Sequence, residues 1–173
     1  MDARIIRTRY RIREAFLSLR KKLMPENIKV ADICQKAMIN KTTFYKHYND
    51  SNELSREIED HYVDKLISEF SEKDRITESP RDFVEGFIKA VIKEAEGLRR
   101  VFRGKREILA MKFEKKLREL ILKSGKDVED GIVLIFALGG FVSVVNEYIF
   151  SEAQVDISEL TTRLSGVIAK VTA

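Results

Sequence analysis

The 173-residue chain is short of the residues that break or staple a backbone: it holds two Pro and eight Gly, and no Gly precedes Gly86. All-β folds draw heavily on both residues at their turns, so a turn-rich all-β fold is not expected. One cysteine, Cys34, excludes an intramolecular disulfide framework, and with only His47 and His61 beside it a Cys/His zinc site cannot be built. No metal or cofactor is expected, and the scarcity of cysteine fits a reducing, cytoplasmic setting. Asp2 to Arg13 is dense in Arg, with no apolar segment of the kind that follows a signal's basic start. The longest apolar run, Ile132 to Val145, is interrupted by Gly139, Gly140 and Ser143 and falls short of the ~20 residues a spanning helix needs. It reads as a buried helix, and no membrane partner is expected.

What the chain does have is unevenly placed charge. Residues 1–50 carry 12 Lys/Arg against 5 Asp/Glu, net +7, and residues 51–173 carry 20 against 23, net −3. A basic head on a mildly acidic body points to a nucleic-acid or anionic contact confined to the head. The expected division is 1–50 and 51–173.

Apolar residues at helical spacing, from Ile5 through Ile12, Ala15, Phe16 and Leu19 to Leu23, mark an amphipathic first helix that Pro25 ends near Met24. Two short helices follow, Val30 to Ala37 and Lys41 to Tyr48, separated by Met38-Ile39-Asn40, with Asn40 as N-cap of the second. Asp50 to Glu53 fits a capping box, after which Leu54, Ile58, Tyr62, Leu66 and Phe70 recur every four residues along a long fourth helix. Residues 73–78 read as a linker. Ser79-Pro80-Arg81-Asp82 starts the next helix, with Ser79 as N-cap, and Gly125 ends the one after that. Val128 to Phe150 is apolar nearly all round, and a final helix introduced by Asp156 and Glu159 carries a seam of Ile157, Leu160, Leu164, Val167 and Val171.

The segment 29–48 has the form of a helix-turn-helix. Ile33, Ala37, Ile39 and Phe44 supply apolar contacts that lock its helices together, with Cys34 as a small filler. Lys41, Thr42, Thr43, Tyr45, Lys46, His47 and Tyr48 are left to face outward or toward DNA. A major groove about 12 Å wide accepts one helix, whose first residues reach base edges. Thr42 and Thr43 suit bases, Lys41 and Lys46 suit phosphates, and Tyr45, His47 and Tyr48 offer ring-borne hydrogen bonds to the backbone. Lys29 and Asn52 stand at starts of flanking helices, where phosphates also bind.

At these residues the chain resembles the TetR family of bacterial transcriptional regulators. Thr43-Phe44-Tyr45-Lys46-His47-Tyr48 leading into Leu54 is similar to that family's signature before its long fourth helix, and Val30, Ile33 and Ala37 match its upstream pattern. Three positions depart from it: Met38 where a turn Gly is usual, Lys29 where a Ser/Thr cap is usual, and Asn52 where a phosphate-contacting Lys is usual. The resemblance covers residues 5 to 60. It implies an all-α protein with a three-helix helix-turn-helix head joined by a long fourth helix to a helical bundle that senses a ligand and dimerises. It further implies a homodimer reading a near-palindromic double-stranded operator and released from it by a small, apolar effector. Gly139, Gly140, Ser143, Leu160, Leu164, Val167 and Val171 are the expected dimer face, and Phe83, Phe87, Val91, Phe102, Phe113 and Phe136 the expected effector pocket. An adapter that keeps the head but works through a protein partner is the alternative, which Lys29 and Asn52 leave open. An enzyme is not expected: there is no Gly-x-Ser-x-Gly elbow, phosphate loop, dinucleotide fingerprint or His-Glu-x-x-His. Glu57 and Asp60 read as a solvated helix face.

Overall fold

The computed structural model describes residues 3–71, 79–123, 128–151 and 156–172. These residues form eight α-helices: α1 Ala3–Arg20, α2 Val30–Ala37, α3 Lys41–Tyr45, α4 Ser51–Ser71, α5 Pro80–Val101, α6 Arg106–Lys123, α7 Val128–Phe150 and α8 Ile157–Thr172, with a short 3-10 segment at Pro25–Asn27. Among the described residues there is no strand, and no helix is long and apolar enough to cross a membrane. The expected linker at 73–78 and the helix end at Gly125 lie outside the described residues.

The chain divides into two compact units, Met1–His61 and Tyr62–Ala173, so the division falls inside α4 rather than ahead of it. By that division the first unit holds 13 Lys/Arg against 9 Asp/Glu, and the second 19 against 19. The whole net charge of +4 therefore resides in the first unit.

In the first unit, α1 packs on α2 through Ile12, Ala15 and Phe16, which meet a core containing Ile33, Cys34, Phe44, Leu54 and Ile58. Burial pushes the Cys34 thiol pKa up, so the residue stays a protonated filler. Helix α1 stops at Arg20, earlier than Pro25 alone predicts: Lys22 and Leu23 donate to the Leu19 carbonyl, and buried Arg20 donates through Nη1 to the Leu23 carbonyl at 2.9 Å. Ile5, expected inward, is exposed. Helix α3 is one turn shorter than its sequence pattern, ending at Tyr45, with Lys46 and His47 in a turn.

Asp50 caps α4 by accepting from the Glu53 amide at 2.7 Å, while the Glu53 carboxylate takes the Asn49 amide at 2.7 Å and its side-chain Nδ2 at 2.8 Å. The expected capping box thus closes on Asn49, one residue earlier than its usual return partner.

In the second unit, α5 lies against α7 and α8, and α7 also packs on α6. At the centre Phe87 meets Phe113 and Phe141 edge to face, with centroids 5.6 and 5.0 Å apart, and Phe83 joins Phe141 at 6.3 Å. Such pairs add about 0.5–1.5 kcal/mol each beyond burial. Ion pairs Lys65–Glu94 (2.6 Å) and Lys93–Glu69 (2.9 Å) link the end of α4 to α5, and Lys116–Asp64 (2.8 Å) links it to α6. Gly97 lets α5 approach Tyr62 of α4 closely, since a Cβ there would collide with the ring. Gly104 makes the turn into α6 at φ 73°, a conformation suited to glycine. Ser79 stands at the N-cap of α5 as expected, with Pro80 at the first helical position, but its side chain makes no capping bond: its hydroxyl donates to Asp82. Asp156 does cap α8, accepting from Ser158 and Glu159 amides at 2.8 and 3.2 Å.

Candidate nucleic-acid interface

Helix α3 is fixed at its start by Asn40, whose Oδ1 accepts the Thr43 amide at 2.7 Å. This oxygen is committed to the backbone, so Asn40 acts as the cap of α3. Beneath the helix Phe44 is fully buried, in contact with Tyr45 (5.6 Å) and Tyr48 (5.7 Å). With Phe44 turned inward, Lys41, Thr42, Tyr45 and Lys46 are exposed, and Thr43 and His47 half-buried. The exposed set combines hydroxyls, an aromatic ring and two cations along one short helix and the residue that follows it, a composition suited to base edges and phosphate.

Tyr48 is a correction to the sequence reading. It is 2% exposed, and its hydroxyl donates to Glu57 Oε1 at 3.1 Å. The other Glu57 oxygen is paired with Arg9, whose guanidinium carbon lies 5.1 Å from the Tyr48 ring centroid. Burial and the adjacent Glu57 carboxylate push the phenol pKa up to about 12, against the weaker opposing pull of Arg9 and Arg13. Tyr48 therefore ties α1, the end of the motif and α4 together and is not placed to meet DNA.

The turn between α2 and α3 has its own support. Met38 adopts the left-handed conformation (φ 50°, ψ 52°). Its amide donates to the Gln35 carbonyl at 3.2 Å, and that of Ile39 to the Cys34 carbonyl at 3.0 Å, the Schellman pattern that normally ends on glycine. Arg11 of α1 donates to the Ala37 carbonyl and, at 3.1 Å, to that of Met38, placing a cation at the negative end of α2. At the other end of α2 Lys29 has no acceptor to offer; Asp32 instead accepts the Lys29 amide at 3.2 Å, leaving the Lys29 side chain exposed.

In the second unit the expected effector residues do not form one site. Phe83, Phe87, Val91, Phe102 and Phe113 are 4% exposed or less and close on the core, whereas Phe136 is 83% exposed. Phe136 instead joins Gly140, Leu164 and Val167, from the expected dimer face, around an apolar recess of about 310 Å³ between α7 and α8. Ser143 is exposed and Leu160 half-buried, Gly139 has open space beside it, and the Val171 side chain lies outside the described ones. A second recess of about 380 Å³ lies between α5 and α8, walled by Arg81, Glu85, Lys89, Thr161 and Thr162 among others. Among the described residues no cluster of His, Cys, Asp and Glu could hold a metal ion.

Solved structures resemble this arrangement over nearly the whole chain. The dihydroxyacetone kinase operon activator DhaS superposes with a TM-score of 0.57 at 16% identity, covering 95% of this chain and 93% of that one. A transcriptional regulator of the TetR/AcrR family from Aquifex aeolicus VF5 gives 0.54 at 22% identity, covering 95% and 99%. The fold is of the TetR/AcrR type. A curated relative, the uncharacterized HTH-type transcriptional regulator YxbF of Bacillus subtilis (strain 168), is 32% identical over 84 residues, 48% of this chain. The chain matches about a fifth, 21%, of that relative's length. No protein-family model matches.

Within the TetR/AcrR-type fold, the residues that sequence reasoning missed are those that position α3. Arg9 and Arg11 look like solvated charge in the sequence, and Glu57 like part of a solvated face. Their partners lie 48, 26 and 9 positions away or more, beyond the reach of any local pattern.

Proposed function

We propose that the chain is a sequence-specific, DNA-binding transcriptional regulator that acts as a homodimer. The observation that carries this reading is the α3 surface: a capped helix, anchored from below by Phe44, presents Lys41, Thr42, Tyr45 and Lys46 outward from the only unit with net positive charge. Two such helices would enter successive major grooves about 34 Å apart on a near-palindromic site. Dimerisation draws support from Phe136, Val144 and Val167, exposed apolar residues on helices α7 and α8. Repression relieved by a ligand belongs to the same reading, because an effector acts through its differential affinity for the DNA-competent state. An apolar effector would have to part the packed Phe83, Phe87, Phe113 and Phe141 rings; a polar one finds open volume between α5 and α8.

The test is fluorescence anisotropy with labelled duplexes tiled across the DNA flanking the chain's own gene, titrated at several salt concentrations. One duplex should bind in preference to the rest, and Thr42→Ala with Tyr45→Ala should abolish the preference. Lys46→Ala should weaken all duplexes alike and reduce the salt slope by about two, one phosphate contact being lost from each of the two heads. Equal or salt-insensitive binding would overturn the reading. The adapter alternative is favoured by one observation: the start of α4, where a phosphate contact was expected at Asn52, is occupied by Asp50 and Glu53.

A further inference from the structure

Met38 is 80% exposed, the most exposed large apolar residue described in the first unit, and it stands in the turn between α2 and α3 at φ 50°. That conformation disfavours any residue with a Cβ and suits glycine, on which the Schellman pattern ordinarily ends. Burial does not explain the side chain, because so little of it meets the rest of the chain. A residue kept in a sparsely populated backbone region without a packing reason points to a function at the surface it presents.

The backbone of Met38 is held on both sides. Its amide donates to the Gln35 carbonyl at 3.2 Å, and its carbonyl accepts from Arg11 of α1 at 3.1 Å. The side chain therefore projects from a fixed point, and a long, unbranched, polarizable thioether adapts to a shallow apolar target. Of the other two residues of the turn, Ile39 is half-buried and Asn40 caps α3, so Met38 supplies the apolar group that the turn exposes. Exposed Lys36 and Lys41 flank it along the chain. Cations on either side suit phosphates, and an apolar tip between them has one counterpart in a major groove: the C5-methyl of thymine, the apolar group that a base pair presents there.

We propose that Met38 is a specificity-determining residue, its methylthio group packing on the C5-methyl of a thymine beside the bases that α3 reads. The inference rests on the DNA-binding reading above and adds to it an apolar contact that selects thymine at one position of each half-site.

The test takes the duplex preferred in the tiled titration and replaces its thymines one at a time by deoxyuridine, which removes the methyl group and keeps the base pairing. One thymine in each half-site should be sensitive, the full chain binding about fourfold more weakly without that methyl, as expected for one apolar carbon lost from a contact. Met38→Gly should keep the fold, since glycine adopts this conformation freely, and should bind thymine and deoxyuridine duplexes alike at that position. Met38→Asn, whose side chain also tolerates the left-handed region, should behave in the same way. Met111→Ala, on the exposed surface of α6, should retain the sensitivity of the parent. A preferred duplex with no deoxyuridine-sensitive thymine, or a sensitivity that survives in either Met38 variant, overturns the inference and leaves the DNA-binding reading intact. The absence of any preferred duplex overturns both.

Discussion

Replacing Tyr48 by Phe should cost stability near neutral pH and restore it in alkali, so that the two proteins exchange rank. At neutral pH the variant loses a hydrogen bond to an ionised carboxylate, but Glu57 keeps Arg9 and is about a third exposed. A loss of about 1 kcal/mol follows, below the 1.5–3 kcal/mol of a fully enclosed bond to charge. In alkali the sign reverses. The unfolded phenol ionises near pH 10, whereas the buried one, pushed up to about 12, stays protonated. Between these values the native state holds a proton that the unfolded state has lost, so stability is complete below about pH 10 and falls as pH rises toward 12. The parent therefore loses on the order of 1 kcal/mol by about pH 11 and about 2–3 kcal/mol in stronger alkali. The pKa values of Cys34 and Lys65 are raised too and weaken both proteins in the same direction, so the difference between parent and variant isolates Tyr48. Urea unfolding followed by far-ultraviolet circular dichroism, repeated across the alkaline range, measures that difference. Curves that decline in parallel, with no crossing, would refute the enclosed Tyr48–Glu57 pair. DNA site preference should be unchanged in the variant, because the ring does not reach the outer face.

Gly97→Ala should destabilise the second unit despite alanine's better helix propensity. The gain of about 1 kcal/mol is outweighed by about 1–3 kcal/mol of overpacking against Tyr62, whose Cζ would lie 3.2 Å from the new Cβ. Adding Tyr62→Ala should remove the penalty in thermal melts, and a single variant more stable than the parent would contradict the close approach. At the turn, Met38→Val should cost about 1–2 kcal/mol, because a β-branched residue tolerates the left-handed conformation poorly, while Met38→Gly should be neutral or stabilising by about 0.5 kcal/mol. The order Gly, Met, Val in urea midpoints is the check.

What could be read from the sequence is what local rules encode. The bounds of α2, the Asn40 cap, Pro80 at the start of α5 and the inward line Leu54, Ile58 and Leu66 all follow from spacing and cap chemistry. The polar framework beneath the recognition helix does not, because a long Arg or Glu side chain chooses its partner by tertiary proximity. Arg11 on the carbonyls of Ala37 and Met38, and Arg9 with Tyr48 on Glu57, have no periodic signature. Helix α7 fails for a different reason. A helix apolar nearly all round gives no clue to which side faces out, so Phe136 reads as a pocket residue beside Phe87 and Phe113, although Phe141, five residues on, is the one that packs among them.

The three departures from the family pattern bear on where DNA affinity must come from. Met38 costs the turn some strain, which Arg11 and the Schellman bonds offset, so the geometry of the motif survives. Lys29 gives up the side-chain cap of α2 and keeps only the return bond, its amide donating to Asp32, while its ammonium remains exposed. Asn52 is not so compensated: Asp50 accepts the Glu53 amide, Glu53 accepts that of Asn49 just ahead of α4, and two carboxylates there repel a phosphate. Phosphate neutralisation around the motif then falls to Lys29, Lys41 and Lys46. Three contacts per head and two heads predict a salt slope of about −5 log units of affinity per log unit of salt, at about 0.9 per phosphate. A measured slope near −2 would mean that these lysines do not face the backbone and would move the balance to the adapter, whereas one steeper than about −7 would require cations outside the motif.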